Sequence, residues 1–145
     1  MNTQTYSGTN VIPANIPGAV TTVFPAVGRL MISTLFLLAG LSKIAAPAMT
    51  IGYIQSVGLP LPAVAFGLAA FTEIVGGTLL LLGYRTRIVA GVLFVFTLAT
   101  AAFFHNHLGD QNQVIHFFKN VAIAGGLLHV MAFGGGRLSL DGRRA

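Results

Sequence analysis

Glu73 is the one charged residue inside residues 62–82, PAVAFGLAAFTEIVGGTLLLL, and it lies near the middle of that run. A carboxylate at the centre of such a span costs about 2.5–3.5 kcal/mol on insertion scales, so it needs a partner or a shifted pKa. Ala69, Ala70, Gly76 and Gly77 share its helical face and let another helix come close, which turns Glu73 toward protein rather than lipid. Two groups of side chains are placed to meet it. Arg29, Ser33, Phe36, Gly40 and Lys43 recur at intervals of four, three, four and three, one helical stripe with a cation at each end. Lys119 and Asn120 follow His116 by three and four residues and share its face. At 1.5 Å per residue, Lys119 lies roughly 10 Å from the outer end of its span and Glu73 roughly 16 Å from its own. A lysine side chain bridges that offset, so Lys119 is the expected partner of Glu73, with Lys43 next and Arg29 third. Arg29, near a span boundary, is expected to extend toward the headgroups.

These types suggest a proton-handling pair, Glu73 and Lys119, with Lys43, His105, His116 and Asn120 as hydrogen-bonding groups for a ligand. The bland counterpart is an ion pair that only fixes helix register. His105 and His107 are two residues apart and point to different sides of a helix, so they form no helical chelate. His105 together with His116 from the next helix could meet a quinone carbonyl, a haem or a metal; no metal ligand set is expected. His129 reads as a packing hydrogen-bonder. The absence of cysteine excludes disulfides, thiolate zinc sites and Cys-ligated iron–sulfur clusters on this chain. Gly134-Gly135-Gly136-Arg137 lacks the Gly-Lys-Ser/Thr ending of a phosphate loop and reads as a helix end. Asp110 and Asp141 are expected in opposite exposed flanks, so no paired carboxylates assemble.

The elements that must carry these groups are four apolar runs, at about 23–46, 62–82, 87–104 and 114–133, each near the length that spans a bilayer. They are continuous rather than alternating, which argues against strands. The expected fold is all-α, a four-helix transmembrane bundle. Residues 48–61 read equally as a short amphipathic helix at the interface, through Met49, Tyr53, Ile54 and Val57, or as a plain loop. Residues 1–22 read as a loose arm with no basic leader, 23–136 as the membrane domain, and 137–145 as a basic tail.

Composition agrees: 54% of the 145 residues are hydrophobic and 8% charged, and the mean hydropathy is +0.82. The formal charge of +5 resides mostly outside the apolar runs, which suits lipid-headgroup contact and not nucleic-acid binding. Arg85, Arg87, Arg137, Arg143 and Arg144 gather on one side, so both termini are expected in the cytoplasm and the loop 105–113 outside.

Gly28-Arg29-Leu30, FLLAGLSK at 36–43, EIVGG at 73–77 and LGYRTR at 82–87 form an ordered set with the His105 region, Lys119-Asn120 and Gly125-Gly126. The set resembles the DoxX family over about 27–141. That resemblance implies a four-helix inner-membrane protein linked to quinone-dependent oxidation, as in a subunit of thiosulfate:quinone oxidoreductase, or to resistance against quinones, catechols and oxidative stress. It carries over no catalytic residues. The leading expectation is an oxidoreductase component that handles a quinone or similar apolar redox molecule, with electrons passing between bound molecules or through a partner subunit. A proton-coupled or small-solute transporter, working as a homo-oligomer, and a non-catalytic scaffold are the alternatives.

Overall fold

The computed structural model describes residues 18–143. They form five helices: α1 (Gly18–Ala45), α2 (Pro47–Ser56), α3 (Pro62–Leu82), α4 (Thr86–Phe104) and α5 (Gln111–Phe133). All but α2 are long and apolar enough to cross a membrane. The fold is all-α, as expected, and α2 supplies the short helix between the first two spans. α1 begins at Gly18, ahead of the apolar run; the remainder of the expected arm, 1–17, lies outside the described residues.

The helix ends follow from local chemistry. Pro47 and Pro62 sit in the first turns of α2 and α3, where a missing N–H leaves no bond unmade. Gly83 ends α3 with φ of 69°, a left-handed conformation that suits glycine. Its N–H donates to the Leu80 carbonyl at 3.1 Å and the Tyr84 N–H to the Leu79 carbonyl at 3.0 Å, closing the last turn. Asp110 caps α5, its carboxylate accepting from the N–H groups of Asn112 at 2.7 Å and Gln113 at 3.2 Å.

α1 packs along α3 and α4 along α5, α3 and α4 join the two pairs, and α1 and α5 meet lightly. Glycine sets the close approach of α1 and α3. A Cβ on Gly40 would come within 2.6 Å of Ile74 Cγ1, and one on Gly77 within 3.2 Å of Leu37 Cγ. Phe36, Leu80, Val89, Ala90, Leu93 and Leu127 form the buried core. Outside, Leu38, Leu68, Val95 and Phe118 are each more than 60% exposed, one on every long helix. An apolar surface of that extent suits lipid and not water.

The Arg-rich end departs from expectation in two places. Arg29 does not reach for the headgroups; it is buried, 3% exposed. Its guanidinium donates to the carbonyls of Leu80 at 3.4 Å, Leu81 at 3.5 Å and Leu138 at 2.6 Å. The last carbonyls of α3 lack the i+4 N–H of a continuing helix and keep lone pairs to spare, and a cation is favoured there, which outweighs hydration of the side chain. Asp141 is not in a free flank either. It is half-buried, and its carboxylate accepts from the Arg85 N–H at 2.9 Å and from the N–H and hydroxyl of Thr86, each at 2.7 Å. That contact caps α4 from a distant part of the chain. The Leu140 N–H donates to the Leu82 carbonyl at 3.1 Å and the Asp141 N–H to Gly83 at 2.9 Å, so the segment after α5 straps the α3–α4 turn.

Candidate functional site

The stripe on α1 faces α3 throughout: Arg29, Ser33 and Phe36 are at most 3% exposed, and Gly40 is buried. Gly40 lies level with Glu73, for a Cβ there would be 3.1 Å from Glu73 Cβ. Lys43, one turn further along α1, reaches back to the carboxylate. Lys43 Nζ donates to Glu73 Oε1 at 2.8 Å, with the side chains 26% and 5% exposed. Glu73 thus faces protein, and its partner is Lys43.

Lys119, the partner expected first, does not meet Glu73, and the structure puts Lys43 in its place. Lys119 is exposed on α5, with Nζ 3.0 Å from His116 Nδ1 on its own helix. An ammonium only donates, so Nδ1 accepts in this contact. The physical reason is lateral. Depth along two helix axes matched Lys119 to Glu73, but α1 is the helix that glycine brings against α3.

Lys119 nevertheless opens onto the same space. A cavity of about 270 Å³ is lined by Lys43, Glu73, His105, Lys119 and Asn120, walled on its apolar side by Phe36 and Ile123. His105 Nδ1 lies 3.0 Å from Gln113 Oε1, which orients the ring. His116 stacks on His105 with centroids 5.1 Å apart and an interplanar angle of 23°. All six candidate residues therefore gather around one chamber, His116 at its edge. Within it, Glu73 Oε2 is buried without a hydrogen-bond partner among the described residues. That oxygen has no accessible surface of its own, so a proton donor in the chamber reaches it only when the side chain shifts.

A second, larger cavity of about 620 Å³ adjoins it between α2, α3 and α4, lined by Ile54, Leu68, Ala69, Phe103 and Phe104 among others. The two share Lys43, Phe96, Thr100 and His105. Tyr53 of α2 stands at its margin, its ring 5.4 Å from Phe104 and its hydroxyl donating to the Phe104 carbonyl at 3.4 Å. The combination is an apolar chamber that ends at an ammonium and an imidazole, followed by a small polar chamber with a carboxylate. It can take a flat or chain-like apolar molecule by its body and offer its head a donor at Lys43 and an acceptor at His105, whose Nδ1–H is spent on Gln113. Among the described residues no group of three or more His, Cys, Asp or Glu side chains is placed to hold a metal ion.

Phe96, Thr100, Phe103 and Phe104 are not among the expected site residues, although their spacing of four, seven and eight marks one face of α4. Nor are Tyr53 and Ile54, although both belong to the amphipathic face read on 48–61. The signal was an apolar face on each of two elements; that neither face is fully filled by a neighbour is a property of the packing.

The DoxX family profile matches residues 24–106. Inner membrane protein YphA of Escherichia coli (strain K12) is 34% identical over 131 residues, covering 87% of this chain and 94% of that protein. Inner membrane protein YqjF of the same strain is 36% identical over 118 residues, covering 79% and 87%. No solved structure matches the chain. The profile takes in the α1 stripe, Glu73 and the α3–α4 turn. The chain belongs to the DoxX family of integral membrane proteins.

Proposed function

We propose that the protein binds a quinone, or a closely related apolar redox molecule, and acts as the membrane component of an oxidoreductase in the inner membrane. The observation that carries this reading is the pair of joined cavities with Lys43 and His105 at their common wall. The apolar part of the molecule occupies the chamber beneath α2; a ring oxygen accepts from Lys43, and the hydroxyl of the reduced form donates to His105. A quinone that takes up two electrons must also take up two protons. Glu73, with one oxygen on Lys43 and the other unpaired, is placed to pass them, and Lys119 lines the path toward the α4–α5 loop. With no cysteine in the chain, thiolate-held electron carriers belong to a partner subunit or to a second small molecule. The arginines at the α3–α4 turn and after α5 favour the cytoplasmic side for that end, which supports a site opening toward the outer half of the membrane.

The test is equilibrium binding of a short-chain quinone to the purified protein in detergent, followed by calorimetry. Saturable binding is expected, weakened about tenfold or more by Lys43→Met, since a hydrogen bond to a charged group contributes about 1.5–3 kcal/mol. Wild-type protein without saturable binding, or Lys43→Met and a cavity-filling Thr100→Phe that both bind normally, would refute the reading. A buried carboxylate also suits proton-coupled transport, and vesicle uptake abolished by Glu73→Gln would favour that function instead.

A further inference from the structure

At the other end of α4, roughly 28 Å from His105 at 1.5 Å per residue, lies a third cavity of about 690 Å³. It is lined by Arg85 and Arg87 at the start of α4, by Arg137 after α5, and by Gly134, Gly135 and Gly136. Ile88 and Phe133 form its apolar border, 62% and 75% exposed on the lipid-facing sides of α4 and α5. Asp141 is the one acidic residue in the lining, and both of its oxygens already accept from Arg85 and Thr86. Three arginines therefore line the cavity with one carboxylate, which is engaged in capping a helix. Arg87 turns inward across the glycine segment: a Cβ on Gly134 would lie 3.4 Å from Arg87 Nε.

We infer that this cavity is a specific site for an anionic phospholipid. A soluble anion would use the guanidiniums and leave the Ile88–Phe133 border idle; a neutral lipid would do the reverse. An amphiphile with a phosphate head engages both. Its phosphodiester takes paired N–H donors from Arg85, Arg87 and Arg137, and its acyl chain descends along Ile88 and Phe133. The level agrees, since the site lies where α4 begins and α5 ends, at headgroup depth for helices of these lengths. The strap after α5 supplies one wall, so a bound lipid also holds the strap against the α3–α4 turn. This proposal is independent of what the other two cavities bind.

The experiment uses the full chain reconstituted in phosphatidylcholine vesicles, with spin-labelled phosphatidylglycerol or spin-labelled phosphatidylcholine as the probe. A preference for phosphatidylglycerol of about fivefold or more is expected, the equivalent of at least one arginine at a membrane surface. Arg85→Gln, Arg87→Gln and Arg137→Gln combined should abolish the preference with helicity unchanged. Arg143→Gln removes a charge from the same end but outside the cavity and should leave the preference intact. The proposal is overturned if the triple variant keeps its preference, or if Arg143→Gln loses as much, which would mean a diffuse surface charge. Displacement of the labelled lipid by inorganic phosphate alone would assign the cavity to a soluble anion and equally overturn it.

Discussion

Removing Lys43 is the sharpest perturbation of the buried pair, because Glu73 then has no partner on either oxygen. Truncating one member of a fully buried ion pair costs about 3–5 kcal/mol. Lys43 retains 26% exposure of its side chain, so part of its charge is solvated and the lower end applies, about 3 kcal/mol for Lys43→Met. Glu73→Gln keeps a carbonyl oxygen that can accept from the ammonium and should cost about 1 kcal/mol. The double variant loses the attraction but also the uncompensated charge, and should cost about 2 kcal/mol. The pair is then coupled by about 2 kcal/mol, well above the scatter of independent sites. Reversible unfolding in mixed micelles, followed by far-ultraviolet circular dichroism, measures all four corners of the cycle. A parallel cycle with Lys119→Met should show much weaker coupling to Glu73→Gln, since Lys119 contacts His116 instead. Coupling below about 0.5 kcal/mol for Lys43, or larger coupling for Lys119, would refute the assignment of the partner.

Two further outcomes follow from the Arg-rich end. Arg29→Leu should destabilise by about 2–4 kcal/mol, because it strips a donor from the carbonyls of Leu81 and Leu138 and leaves Leu80 with the Gly83 N–H alone, and it should speed proteolysis after α5; Arg29→Lys, with a single ammonium, should restore only part of the loss. Asp141→Ala should cost about 1–2 kcal/mol, with faster hydrogen exchange at Thr86 and neighbouring amides and unchanged quinone binding, because the cap lies a helix length from the two cavities beside Lys43. Unprotected exchange at Thr86 in the wild type would contradict the cap.

The four spans were legible because apolar length is a property of each segment alone. The α1 stripe was legible too, since periodicity names a face, and that face is buried. What the face meets was not legible. Lys43 and Lys119 are both within reach of Glu73 in depth, and only the close approach at Gly40 decides between them. Arg29 looked like a boundary residue because its acceptor Leu138 lies 109 positions away in sequence. Asp141 looked unengaged because the N–H groups that it caps lie 55 and 56 positions earlier. The apolar chamber left no signature either. Phe96, Phe103 and Phe104 form the face that a core helix would also show, and the chamber exists because α2 is short and packs mainly on α3.

The two cations of the α1 stripe are linked through one register. Gly40 lies level with Glu73, Gly77 with Phe36 and Leu37, and Arg29 with Gly83, so each step along α1 is matched by an equal step back along α3. From Arg29 to Gly40 is roughly 16 Å of helix, and the close contacts hold over all of it. A slip by one turn would break the Arg29 and Lys43 contacts together. The clamp at the Arg-rich end and the ion pair beside the cavities are therefore not separate devices. Arg29, held by the end of α3 and by the strap, fixes how α1 lies, and that placement delivers the Lys43 ammonium to Glu73 at the common wall of the two chambers.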